Sequence, residues 1–229
     1  SRALRLTPPG GEEGRPEVVT SNGRLAEEGR ILILTGANRG GKTTYTQAVG
    51  QIQVLAQAGL YVPGTRARIS PVDGVHTHFP AEENPRAEAG RLGEEAQRLG
   101  TIFAEATRHS LILLNESLAT TSPGESLYLA QDIVRALRLL GARGIYATHL
   151  HELAAGIDAL NASTPGDSVV ASLVALVADG AGSNGAIRQT YRIVPGPPLG
   201  KSYAREIAAR YGISYEQLSA LLHKRSQEH

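Results

Sequence analysis

Apolar residues along the chain fall into short unbroken runs, separated by longer stretches in which they recur every three or four positions. The unbroken runs predict buried strands over Arg30–Thr35, Ser110–Leu114 and Gly144–Thr148, with a further short strand at Val18-Val19-Thr20. From Lys42 to about Ala58, residues such as Ala48, Ile52 and Leu55 keep helical spacing, and Gly59 ends that helix. Residues 60–80 read as turns with β-like pieces at Arg66–Ser70 and Gly74–Phe79. A long helix is predicted from about Ala87 to Arg108, carrying Leu92, Leu99, Ile102 and Phe103. Pro123 suits a first helical turn, and the helical period continues from Leu127 to Leu140; a short helix follows from His149. Val169–Val177 and Arg188–Val194 flank the turn Gly180–Gly185 and predict a hairpin. Two short helices, Ser202–Tyr211 and Ser214–Lys224, are parted by Gly212. Alternating strands and helices predict an α/β sheet with an antiparallel portion late in the chain.

Composition narrows the class. A chain of 229 residues, 41% of them apolar, suffices for one large domain or a domain with a small appendage. Residues 1–15, with Pro8-Pro9-Gly10-Gly11 and Glu12-Glu13-Gly14, predict a flexible lead-in; 16–200 form the main domain and 201–229 a helical element. No apolar run nears the ~18 residues of a membrane span, and residues 1–14 lack the apolar core of a signal peptide. Absence of cysteine excludes disulfides and thiolate metal sites and fits a cytoplasmic protein. The chain opens on Ser1 and contains no Met, which predicts a piece of a longer product. A net charge of +1, with Lys and Arg dispersed among Asp and Glu, supplies no basic footprint for DNA. Any DNA contact is therefore expected through parts outside this chain.

The chemistry is concentrated after the first buried run. Gly36-Ala37-Asn38-Arg39-Gly40-Gly41-Lys42-Thr43 has two glycines bracketing four residues and then Lys-Thr, the phosphate-binding loop pattern, between a predicted strand and a predicted helix. Glycines allow backbone N–H groups to turn inward around phosphate oxygens. Lys42 adds a point charge on the β- and γ-phosphates, the Thr43 hydroxyl is a Mg²⁺ ligand, and Thr44 continues the positive end of the helix. Leu111-Ile112-Leu113-Leu114-Asn115-Glu116 is a strand ending in two polar residues, placed where its carboxyl end faces that loop. Glu116 is the candidate base for the attacking water. Asn115 stands where most such motifs have Asp; it keeps an oxygen acceptor but brings no charge, which predicts weakened or retuned metal binding. Tyr146-Ala147-Thr148-His149 ends a third strand in a histidine, a candidate contact for the γ-phosphate or attacking water.

Together these pieces resemble the ATPase domain of the MutS mismatch-repair family. That family's loop reads T-G-P-N-M-G-G-K-S-T-Y, against Thr35-Gly36-Ala37-Asn38-Arg39-Gly40-Gly41-Lys42-Thr43-Thr44-Tyr45 here. Ala56-Gln57-Ala58-Gly59-Leu60-Tyr61-Val62-Pro63 is similar to its A-Q-I-G-S-Y-V-P, and Ser110–Glu116, Ala147-Thr148-His149 and Lys201-Ser202-Tyr203 match further motifs in order. The resemblance covers about residues 16–225 and departs at Asn115, for Asp, and Arg39, commonly Met. It implies a P-loop NTPase of ABC-ATPase-like build, a mixed sheet flanked by helices with a short C-terminal helical pair serving dimerisation. It implies ATP and Mg²⁺, and a homodimer in which each subunit completes the other's site. Thr120-Thr121-Ser122 occupies the segment that meets the partner's nucleotide, so Ser122 is a candidate nucleotide contact in trans; the ordinary reading is a helix N-cap. Glu95 lies in a segment resembling a family motif with a glutamate near the metal; a solvated helical glutamate is the other reading. The family's mismatch-reading Phe-x-Glu belongs to a domain absent here, and Phe103-Ala104-Glu105 matches those letters inside a helix, where Phe103 reads as core. The implied function is ATP hydrolysis coupled to mismatch repair or related DNA handling. A non-hydrolysing dimerisation switch is motivated by Asn115. Action on DNA junctions or stalled ribosomes is left open by the neutral charge.

Other groups carry less. His76 and His78 share a strand face but have no third ligand near in sequence. His151 and Glu152 read as helix-start surface residues, Lys224-Arg225 as helix-end charges that suit the dipole. Tyr203 fits either a dimer interface or a helix–helix core.

Overall fold

A computed structural model of the chain describes residues 21, 23–25, 30–79, 90–118, 121–163, 166, 168–178, 188–198 and 211–227. Three runs of consecutive apolar residues form strands buried on both faces: β1 (Ile31–Gly36), β3 (Leu111–Asn115) and β4 (Arg143–Ala147). With β2 (Val75–His78), β5 (Val170–Ala178) and β6 (Arg188–Pro195) they make a six-stranded sheet in the order β2-β3-β4-β1-β5-β6. All neighbours pair in parallel except β5 and β6, which form the expected antiparallel hairpin, with a register shift between Ala175 and Val177. Continuous rather than alternating hydrophobicity follows from this arrangement, because a parallel strand must bury both its faces under crossover helices.

Alternate side chains divide the core in two. Ile31, Ile33, Ile112, Leu114 and Tyr146 face one side. There they meet Leu99 and Ile102 of α2 (Gly90–Glu105), Ala130, Ile133, Val134 and Leu137 of α3 (Pro123–Leu140), Leu153 of α4 (His151–Ala155) and Leu160 of α5 (Ile157–Ser163). Phe103 packs half-buried against this cluster, as core. Leu32, Leu34, Leu111, Leu113 and Ile145 face the other side, toward Tyr45 and Val49 of α1 (Lys42–Gln57). Each fully buried Leu or Ile contributes about 1.5–3 kcal/mol, so the central three strands are the firmest part of the fold. Gly50 lets α1 lie close on β3: a Cβ there would stand 2.7 Å from Leu113 Cδ1.

The structure corrects several boundaries. Residues 66–70 form no strand. Glutamine side chains of α1 take the backbone groups there and just beyond, with Gln53 Nε2 donating to Ser70 O (3.1 Å), Gln57 Nε2 to Val72 O (3.0 Å) and Val72 N to Gln57 Oε1 (3.0 Å). α2 stops at Glu105 rather than Arg108 because Ser110 Oγ accepts from Thr107 N (2.9 Å) and itself donates to Asp73 Oδ1 (2.7 Å), folding the chain into a turn. The helix expected from His149 begins at His151 and is followed, past Gly156, by the unanticipated α5. The last helix, α6 (Tyr215–Gln227), follows Gly212 at φ 72°. Residues 1–15, Val18–Thr20, the start of the long helix at Ala87, the turn Gly180–Gly185, and Ser202–Tyr211 with Tyr203 lie outside the described residues. None of the described helices is long and apolar enough to cross a membrane.

Behind the sheet, Arg138 at the end of α3 is 5% exposed and binds carbonyl oxygens: Nε to Ser168 O (3.0 Å), Nη2 to Gly166 O (3.4 Å) and Nη1 to Leu160 O. This guanidinium satisfies the chain that leads from α5 into β5. Replacing Arg138 with Met removes those donors from buried carbonyls and is expected to destabilise the fold by about 2–4 kcal/mol. In urea unfolding the midpoint falls while the slope stays unchanged.

Candidate nucleotide site

The carboxyl ends of β1, β3 and β4 bring the predicted residues to one edge. β1 runs straight into the glycine loop, where Gly36 takes φ 129° and lies against Ala175; a Cβ would stand 2.8 Å from the Ala175 carbonyl oxygen. Gly40 N donates to Ala37 O (3.1 Å), and Gln189 Nε2 of β6 donates to Asn38 O (3.2 Å). Arg39, at the exposed tip, has φ 63°, and Gly41 at φ 89° is the cap of α1. Lys42 is buried, and its ammonium donates to the carbonyls of Gly36 (2.9 Å) and Ala37 (3.2 Å). Burial pushes the Lys42 pKa below its ordinary value, while the Glu116 carboxylate, 4.0 Å away, pulls it up. Thr43 and Thr44 stand exposed at the mouth of the loop.

Thr43 Oγ1 donates to Asn115 Oδ1 across 3.0 Å, joining the first turn of α1 to the end of β3. Two oxygens thus meet beside the loop without a carboxylate between them. Among the described residues no group of three His, Asp or Glu could hold a metal, which also disposes of His76 and His78 as a pair. This fits Mg²⁺ arriving with a nucleotide, since that ion is usually held by one or two protein oxygens, the phosphates and water. Asn115 is the neutral member of that set.

Glu116 follows β3 at φ 48°, anchored by its N–H to Ala147 O (2.8 Å). Its Oε2 accepts from His149 Nδ1 (2.6 Å) and from His149 N (3.3 Å). That hydrogen bond raises the His149 pKa above its ordinary 6.5, against partial burial and the Lys42 charge. The carboxylate therefore lies between Lys42 and His149. His151 is half-buried rather than a surface residue; its Nδ1 is buried without a hydrogen-bond partner, and burial lowers its pKa. Ser122 caps α3 as the ordinary reading expects: Ser122 Oγ accepts from Glu125 N (3.4 Å) and Glu125 Oε2 from Ser122 N (3.3 Å).

Two residues at this edge escape motif reading. Glu95 is not solvated: 7% exposed, it accepts through Oε2 from Leu118 N (2.7 Å), in the turn after Glu116. His78, 1% exposed, contacts Ser117 Oγ through Nδ1 (2.7 Å) in the same turn. Glu95's resemblance to a family glutamate was its sole signal, and a polar residue in a short β run was the signal for His78.

The raised His149 pKa ties pH to this pair. Because the folded value exceeds the unfolded one, its contribution to stability is fully present below about pH 6.5 and fades as pH rises through the folded midpoint. An NMR titration is expected to give a His149 midpoint above 6.5, falling back in Glu116→Gln.

With this geometry in hand, comparison with known proteins gives a consistent answer. The family model described as MutS domain V matches residues 32–219. The chain is 34% identical over 209 residues to the protein named Endonuclease MutS2 of Thermus thermophilus, covering 89% of this chain and 26% of that protein. It is 36% identical to DNA mismatch repair protein MutS 2 of Halobacterium salinarum, over 67% of this chain and 19% of that protein. With DNA mismatch repair protein MutS of Rhodopirellula baltica it shares 36% identity over 83% of this chain and 20% of that protein. The chain thus spans about a quarter or less of the relatives' length. A parallel P-loop sheet, and a family match across most of its residues, make this chain a member of the MutS domain V family.

Proposed function

We propose that the chain is the ATPase domain of a MutS-type protein, hydrolysing ATP with Mg²⁺ as a homodimer and coupling nucleotide state to mismatch repair or related DNA handling. The convergence of Lys42, the Thr43–Asn115 pair and Glu116 at one sheet edge carries this reading. The amides of Gly36, Ala37, Asn38, Arg39, Gly40 and Gly41, with those of Thr43 and Thr44 at the start of α1, cradle the phosphates. Lys42 exchanges the Gly36 and Ala37 carbonyls for β- and γ-phosphate oxygens, a stronger match for a desolvated ammonium. Thr43 and Asn115 hold Mg²⁺, which when bound neutralises charge on the phosphates. Glu116, released from Lys42, takes the proton of the water that attacks the γ-phosphorus as ADP leaves. His149 keeps the carboxylate oriented and reaches the γ-phosphate.

Dimerisation rests on two features. Ser122 stands exposed at the N-terminus of α3, where it can meet a partner's nucleotide, and α6 leaves Leu218, Leu221 and Leu222 exposed. DNA is engaged through regions outside this chain, consistent with its net charge of +1. Asn115 also supports a second reading, a switch in which ATP clamps two subunits without being hydrolysed.

Phosphate release measured across protein and Mg²⁺ concentrations separates the two. Hydrolysis predicts turnover per subunit that rises with protein concentration and falls by ~10²–10⁴-fold in Glu116→Gln with ATP binding kept. Tight binding and dimerisation without phosphate release would instead establish the switch. In Asn115→Asp, the added charge is expected to lower the Mg²⁺ concentration for half-maximal turnover by roughly 10-fold, on the order of 1.4 kcal/mol of metal affinity.

A further inference from the structure

Glu116 is the first of three residues that turn the chain away from β3, and the turn is strained. Glu116 at φ 48° and Leu118 at φ 59° are left-handed without being glycine, each at a cost of roughly 1–2 kcal/mol. Such a turn keeps one shape only if its surroundings hold it. The backbone is held from three elements: Glu116 N by Ala147 O, Ser117 O by the buried Tyr146 hydroxyl (2.8 Å), Leu118 N by Glu95, and Leu118 O by Ser126 Oγ (2.9 Å). The side chain between the two strained residues, Ser117, is 3% exposed and faces His78.

His78 is the last residue of β2, paired in register with Leu114 of β3. An imidazole there is unfavourable for the core alone. It is 1% exposed, and its Nε2 is buried without a hydrogen-bond partner. Burial, with Arg98 nearby, lowers its pKa against an opposing pull from Glu95, so the ring is neutral at physiological pH. An unpaired lone pair costs less than an unpaired N–H, which places the proton on Nδ1, donating to Ser117 Oγ. A valine or leucine at this position would satisfy the packing and leave Ser117 unheld.

We propose that His78 is a positioning residue for Glu116: its Nδ1 fixes Ser117 and thereby aims the neighbouring carboxylate. The inference rests on the ATPase reading above for its consequence in turnover, and on geometry alone for its consequence in Glu116 placement. His78→Asn carries an amide atom close to where Nδ1 stands and restores the contact. His78→Gln reaches only toward Nε2, and His78→Phe removes both.

Steady-state ATP hydrolysis, equilibrium binding of a fluorescent ATP analogue and NMR titration of His149 are measured on the full chain for these variants and Glu116→Gln. The expected result is kcat lower by ~10–100-fold in His78→Phe and His78→Gln, as for about 1 Å of misplacement. Analogue Kd stays within about twofold, and His78→Asn lies within about threefold of wild type. The His149 midpoint falls toward 6.5 in His78→Phe and stays raised in His78→Asn. Equal losses in the Asn and Phe variants, a Kd that weakens in step with kcat, or an unmoved His149 midpoint in His78→Phe would overturn the proposal. Absence of hydrolysis in wild type, or full turnover in Glu116→Gln, sinks the ATPase reading instead, and the His149 midpoint still decides the role of His78.

Discussion

Parallel register between β1, β3 and β4 sets where every reactive group in this molecule stands. Leu34 pairs with Ala147, and Ala147 with Asn115, so the three strands run out of ladder at the same level. Whatever residue follows each strand is delivered to one edge: the glycine loop after β1, Glu116 after β3, His149 after β4. A slip of one residue along β3 would turn Asn115 and Glu116 to opposite faces and put Leu114 in the site. The register is held by side chains that alternate between two cores, each closed by helices on its own side of the sheet. Packing on both faces is therefore what fixes the 3.0 Å Thr43–Asn115 contact and the 2.6 Å Glu116–His149 contact.

The electrostatics at that edge are arranged around scarcity of solvent. Lys42 is buried, and its charge is supported by two carbonyls and one carboxylate at 4.0 Å. Carbonyl dipoles are weaker partners than phosphate oxygens, so the empty loop holds its lysine in place but leaves it under-neutralised. Anion binding then relieves desolvation already incurred in folding. Asn115 works in the other direction. With Asp there, an empty site would hold a second carboxylate next to Glu116. The neutral amide accepts from Thr43 at no electrostatic cost, and the site leans on the nucleotide's own charge to retain Mg²⁺.

Much of this was legible in the residues themselves. Continuous apolar runs identify β1, β3 and β4 because parallel strands bury both faces, and a glycine loop between such a run and a helix identifies its own chemistry. Pro123 and Ser122 mark the start of α3, as a capping box and a fixed φ require. The failures share a cause. Residues 66–70 look β-like, yet Gln53 and Gln57 from α1 take the backbone groups in and beside them, and no local pattern reports a side chain seventeen positions away. The end of α2 turns on Ser110 and Asp73, contributed by other segments. Glu95 and His78 were read as a possible metal neighbour and a discounted ligand because their partners, Leu118 and Ser117, are distant in sequence.

That last pair shows what the motif leaves out. A carboxylate after a strand acts as a base only if its backbone points it at the attacking water, and here the backbone is a left-handed turn that would relax if released. Its hydrogen bonds come from β2, α2, α3 and β4, so holding the turn is shared among elements that cross both edges of the β3 neighbourhood. Any movement that shifts α2 or β2 relative to β3 must therefore also move Glu116. Its exposed side would feel nucleotide through Lys42 and His149, and its buried side would feel the helices through Glu95 and His78. A residue held from both directions is where the state of the phosphate edge and the packing of the domain are forced to agree.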